Sequence, residues 1–268
     1  MERIRFWSIA GKAWNLTLDN AQVFFLYWVL VVAEAIAGEF ATDTVGNETV
    51  GAWIYLVTVL VDLGLTISLY RYVLSSLRGG RSYFPDRPVG TFARFLFSLL
   101  AIGVLCLLFG ILAGLPLFAV GVSGIPDDPR HLLMGSALQV ITGLFLVVVG
   151  LLPMLRFGFV LPAIVMRDPD SYSRSWRLSR GYTVKLLSAL VIFIIPFVVW
   201  GIIWGATETL DSVPFRVANC IFASTVSLGM SVFFCVLYEA LHRRERLMQE
   251  VAEREQQEDG GALGPDTP

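Results

Sequence analysis

Residues Val217–Tyr238 read VANCIFASTVSLGMSVFFCVLY, and Glu239–Arg246 continue EALHRRER. The first stretch carries no charge, and as a helix it would reach ~33 Å at ~1.5 Å per residue, the depth of a bilayer's hydrocarbon core. The arginines that follow are the flank expected where a membrane-spanning helix meets the cytoplasm. This one passage therefore predicts a span and its direction.

Working outward, five further apolar runs lie near Asn20–Gly38, Thr49–Tyr70, Phe95–Pro126, Leu132–Leu155 and Leu186–Thr207. The chain is 56% hydrophobic and only 16% charged over 268 residues, with a mean hydropathy of +0.69, where a soluble domain is nearer ~25% charged. The expectation is an all-α membrane protein with six transmembrane helices, filling residues 1–248. The third and fourth runs exceed the ~20 residues a span needs, so they must tilt, bend or overhang, with Pro116, Pro153 and Pro162 as break points. From about Gln249 the tail turns acidic, then rich in Gly and Pro, and an unstructured cytoplasmic tail is expected over 249–268.

The basic residues orient this ladder. Arg3, Arg5 and Lys12 precede the first span, and Arg71, Arg78, Arg81, Arg87 and Arg94 separate the second from the third. Arg156, Arg167, Arg174, Arg177, Arg180 and Lys185 separate the fourth from the fifth, and Arg243, Arg244, Arg246 and Arg254 follow the sixth. Eighteen of the twenty Lys and Arg thus fall on one side, leaving Arg130 and Arg216 for the other. The positive-inside rule places both termini in the cytoplasm, and an odd number of spans would scramble the pattern. No cleaved signal peptide is expected at the N-terminus, whose apolar run begins only near Ala21.

A second regularity suggests three helical hairpins, each preceded by a cytoplasmic interfacial helix. Ala13-Trp14-Asn15-Leu16-Thr17 precedes the first span and Ser175-Trp176-Arg177-Leu178-Ser179 the fifth, while Tyr83–Phe95 before the third matches in character. Within Asp168–Gly181, Asp168 is read as the N-cap, Pro169 as the first helical residue and Gly181 as the C-terminal cap. Tyr172 and Trp176 then share one face, with Arg174, Arg177 and Arg180 around them, a pattern suited to the headgroup layer. It reads either as an anchor for the fifth span or as an anionic headgroup site at Arg174, Trp176, Arg177 and Arg180.

The run from Arg156 to Lys185, RFGFVLPAIVMRDPDSYSRSWRLSRGYTVK, resembles the membrane domain found in some glycerophosphodiester phosphodiesterases and in related uncharacterised bacterial six-helix membrane proteins. Arg156, Pro162, Ser175, Trp176, Leu178 and Gly181 carry the resemblance, and FWSIAGKAWNL and VLYEALHRRER are similar to the family's ends. Where the pattern has an acidic residue shortly after Leu-Pro-Ala, this chain has Met166 and Arg167. The resemblance implies a six-helix domain of the bacterial inner membrane without the catalytic barrel, for which ~250 further residues would be needed.

Chemistry-bearing sets are sparse. The only histidines are His131 and His242 and the only lysines Lys12 and Lys185, which leaves neither a histidine metal cluster nor a phosphate-binding loop of the GxxxxGK[ST] type. No cofactor, metal, nucleic-acid partner or enzyme activity is expected. Cys106, Cys220 and Cys235 lie in apolar runs and read as small buried hydrophobes. Ionisable groups inside spans are costly and are functional candidates by default: Glu34, Asp62 and, if the fourth span runs past Leu155, Arg156. Glu34 is placed nearer the outer surface than Asp62, so the two need not touch, whereas Asp62 and Arg156 form a hypothetical pair. Glu239 has Arg243 one turn on. Gly110-x-x-x-Gly114 and Gly201-x-x-x-Gly205 permit close helix approach. Two functions lead: a lipid-associated or structural scaffold, with anionic lipids or a membrane protein as partners, and a small transporter or lipid translocator using Glu34, Asp62 and Arg156; a third, an intramembrane lipid enzyme, has no visible acid–base or nucleophile set behind it.

Overall fold

A computed structural model describes residues 6–44, 48–85, 87–121, 153, 156–168, 170–180, 182–183, 186–188, 195–196, 199–200 and 212–261. Among these every regular element is helical: α1 Phe6–Asp19, α2 Ala21–Thr44, α3 Glu48–Leu77, α4 Pro88–Gly121, α5 Val160–Val165, α6 Ser171–Ser179 and α7 Val213–Gly261. Four stretches are long and apolar enough to cross a membrane, Ala21–Phe40, Thr49–Leu77, Pro88–Leu112 and Val213–Gln256. They correspond to the first, second, third and sixth runs of the sequence. The fourth and fifth runs lie largely outside the described residues.

The chain divides into two compact units, Met1–Tyr83 with Phe197–Pro268, and Phe84–Pro196. In the first, α2 packs on α3 and α7, α3 packs on α7, and α1 lies against α7. Its shielded core gathers toward one end, where Tyr72, Val73 and Leu74 of α3 meet the buried run Val232–Tyr238 of α7. Elsewhere on the long helices large apolar side chains face outward, among them Phe25, Leu26, Trp53, Val57 and Val61. Such a continuous apolar surface is a liability in water and the expected exterior in lipid.

Local chemistry explains the breaks between elements. Asn20 separates α1 from α2: its Nδ2 donates to Leu16 O at 3.0 Å, its Oδ1 accepts from Tyr72 Oη at 2.7 Å, and its own carbonyl receives the Val23 and Phe24 amides. One side chain thus covers a loose α1 carbonyl and ties the corner to α3. After α3 the Gly80 amide reaches back to Ser75 O and Gly79 to Ser76 O, with Gly79 at φ 80°. These paired bonds are a Schellman stop, which needs the left-handed residue that glycine supplies. The following loop folds back, with Tyr83 stacked on Tyr72 at 5.0 Å between centroids and its carbonyl accepting from Ser68.

At ~1.5 Å per residue the 49 residues of α7 extend ~74 Å. A helix of that length must leave any bilayer that its apolar half crosses, because the hydrocarbon core is only ~30 Å deep. It remains helical to Gly261, past Gln249, where composition alone points to an unstructured tail. The reason is that Glu, Arg, Gln and Ala propagate a helix once a packed segment has nucleated it.

In the second unit α5 packs against both α4 and α6. Pro162 sits in the first turn of α5, where its missing N–H is no loss, while Pro116 lies inside α4 without ending it.

Candidate functional site

The first charged cluster concerns the intramembrane acids. A Cβ built on Gly38 of α2 would stand 3.2 Å from Thr58 Oγ1 of α3, so a glycine is what lets these antiparallel helices meet there. One turn back from Gly38 is Glu34 and one turn on from Thr58 is Asp62, which sets the two acids level. They are electrostatic neighbours, a juxtaposition that placing Glu34 nearer the outer surface did not predict. Asp62 is exposed on the helix surface and Glu34 partly so; among the described residues neither has a cationic partner.

Close approach is thus made at Gly38; at Gly110 a Cβ would meet nothing within 4 Å among the described residues. Gly201 and Gly205 lie outside the described residues. Further along α2, Arg216 of α7 donates from Nε to Glu39 Oε1 at 2.9 Å and from an Nη to Glu39 O at 2.8 Å. Its guanidinium lies over Phe40 at 4.5 Å. Cys220 and Cys235 are buried, as expected for small hydrophobes, whereas Cys106 is only partly covered.

The second cluster closes the other end of the first unit. Glu239, buried on α7, accepts at Oε2 from Arg78 Nε at 3.0 Å and Nη2 at 2.8 Å. Its Oε1 accepts from Arg243 Nε at 3.0 Å, and Arg243 Nη2 reaches Leu77 O at 2.5 Å, at the carbonyl end of α3. The Glu239–Arg243 pair follows from helical spacing. Arg78 does not, because it is brought in from another helix. One turn on, His242 stacks on Tyr238 and its Nε2 accepts from Arg246 Nε at 2.9 Å.

The third cluster is in the second unit. Helix α6 buries Ser171, Ser175, Leu178 and Ser179, so an almost wholly small, polar face packs on α5. Ser175 Oγ donates to Arg156 O at 2.9 Å, and Ser179 Oγ donates to Trp176 O at 3.1 Å, which removes the penalty for burying the hydroxyls. The other face exposes Tyr172 and Trp176, each 48% open, with Arg177 and Arg180 also exposed. Tyr172 Oη and Ser98 Oγ of α4 are 2.6 Å apart.

Sequence placed the start of α6 earlier than the structure does. The helix begins at Ser171 with Asp170 at the N-cap position and no side-chain cap bond. Asp168 is engaged otherwise: it forms an ion pair with Arg174 and its Oδ1 accepts from the Asp170 amide. Before it, α5 stops in a Schellman arrangement, with Asp168 N bonded to Ala163 O and Arg167 N to Ile164 O, and Arg167 takes the left-handed position at φ 59°. Pro169 and Gly181 lie outside the described residues.

Arg156 belongs to this third cluster. Its guanidinium carbon lies 4.9 Å from the centroid of Trp176, and Phe157 packs on the same ring at 5.8 Å. Its Nη1 is shielded from solvent without a hydrogen-bond partner. Two groups that sequence treated separately, Arg156 and Trp176, are therefore one site. Asp62 and Glu34 belong to the first unit and Arg156 to the second. No residues are grouped for metal binding among those described. No protein-family model, curated protein or solved structure matches the chain.

Proposed function

We propose that the chain is a non-enzymatic multi-pass protein of the bacterial inner membrane, with six spans in three hairpins and both termini in the cytoplasm. It acts as a lipid-associated or structural scaffold whose basic cytoplasmic face meets anionic headgroups and through them, or directly, a membrane-protein partner. The observation that carries this reading is the outward arc of α6, where Tyr172, Trp176, Arg177 and Arg180 are exposed together. Amphipathic aromatics and arginines on one short helix suit a headgroup layer, where rings sit at the interface and each nearby cation gains ~1 kcal/mol from anionic lipid. Membership of the six-helix membrane-domain family is part of the proposal. It is supported by the way Arg156, Pro162, Ser175, Trp176 and Leu178 gather on α5, α6 and the turn before them.

The test is purification of the full chain in mild detergent with identification of bound lipids and proteins. Anionic phospholipid should be enriched over the bulk membrane extract and fall in an Arg177→Gln/Arg180→Gln variant. Co-purified lipid matching the bulk composition overturns the reading.

One observation favours a second reading, transport: Glu34 and Asp62 lie level across the Gly38–Thr58 contact. In proteoliposomes, a proton or cation leak lost in both Glu34→Gln and Asp62→Asn would support it, and an unchanged tight membrane would reject it.

A further inference from the structure

We infer that Arg156 and Trp176 form a binding site for one phosphate group, with the arginine's in-plane N–H edge as the recognition element. This inference rests on the membrane-surface reading above and gives it a ligand class.

The guanidinium is half-buried, yet among the described residues it donates no hydrogen bond, and Nη1 is cut off from water as well. A charged donor in that state is costly unless an acceptor arrives. Asp168, a carboxylate of the same unit, is engaged by Arg174. Meanwhile the face of the guanidinium is occupied by Trp176 at 4.9 Å, which stabilises the cation through the ring quadrupole and leaves the planar fork of N–H groups unspent.

The surroundings hold that fork in place. Ser175 pins the Arg156 carbonyl at 2.9 Å, and Phe157 supports the tryptophan from its own side at 5.8 Å. A fork with no acceptor among the described residues matches a tetrahedral oxyanion, whose two oxygens accept parallel N–H bonds. Beside an exposed aromatic-basic arc, the matching chemistry is the phosphate of a phospholipid, or free phosphate from the adjoining solution. Arg177 and Arg180, exposed on the same arc, contribute general attraction.

The test is native mass spectrometry of the full chain in detergent with added short-chain phosphatidylglycerol, with inorganic phosphate as competitor. A first bound lipid should weaken about tenfold or more in Arg156→Gln, as expected for loss of a charge-assisted pair. Arg156→Lys, which keeps the charge and loses the fork, should fall between. Arg177→Gln/Arg180→Gln should thin the later lipids and spare the first. Displacement of that lipid by millimolar phosphate identifies the bare phosphate as sufficient; resistance to displacement identifies the lipid as the source.

A wild-type measurement covers the case of a variant that fails to fold. Phosphatidylglycerol should slow phenylglyoxal labelling of Arg156, read by peptide mass spectrometry, several-fold more than labelling of Arg180. First-lipid affinity within twofold of wild type in Arg156→Gln, or an unchanged Arg156 labelling rate, overturns the site. If the chain binds phosphatidylglycerol but Arg156 is indifferent, only this inference falls. If no phosphatidylglycerol binds at all, the scaffold reading falls with it.

Discussion

Glu239 and Arg156 are both partly or wholly buried charges, and they are treated in opposite ways. Around Glu239 the protein supplies Arg78, Arg243 and the end of α3, so each carboxylate oxygen has at least one donor. Around Arg156 it supplies an aromatic face and a shielded edge. The first arrangement is closed and fixes α3 against α7. The second leaves a donor unpaired and costs stability unless something outside the described residues completes it. The difference separates a charge used to hold a fold from one kept available for a ligand.

The strongest way to break the comparison is to open the closed cluster. Arg78→Ala leaves a buried carboxylate with one partner, and unfolding in detergent should show a loss of about 2–4 kcal/mol, reduced from the fully buried case because the Arg78 side chain is 31% exposed. Next is the serine face of α6: Ser175→Leu should destabilise by about 1–3 kcal/mol in the same assay, because Ser175 is buried and its hydroxyl bond to Arg156 O is lost.

Arg156→Gln sharpens the comparison from the other side. In lipid-free detergent it should change stability by less than about 1 kcal/mol, since the lost cation–π contact is offset by relief of an unsatisfied donor. A loss as large as that of Arg78→Ala would make Arg156 a structural group. The smallest effect is expected at Glu39→Gln, whose pair with Arg216 is exposed at 44% and 22%: within about 0.5 kcal/mol, and less at high salt.

What could be read from sequence follows interaction range. The four described spans come from hydropathy, and the shared face of Tyr172 and Trp176 and the Glu239–Arg243 pair come from helical spacing, all of them local properties. Arg78 meeting Glu239 across 161 positions and Arg156 lying on Trp176 depend on how helices pack, for which periodicity carries no signal. The level placement of Glu34 and Asp62 was within reach: Gly38 and Thr58 offer a small-residue contact, and in an antiparallel pair each acid lies one turn along from it. The start of α6 differs because Asp168, the residue that reads as its cap, is engaged by Arg174 and the Asp170 amide instead.

Everything said of the basic face depends on one claim, that the arginines of Arg71–Arg94, Arg156–Arg180 and Arg243–Arg254 share one side of a membrane. A reporter active only outside the cytoplasm, fused in turn near Asn47, Asp128, Asp211, Gly80 and the C-terminus, measures it directly. The account predicts activity at the first three positions and none at Gly80 or the C-terminus; activity at either of those two would contradict it.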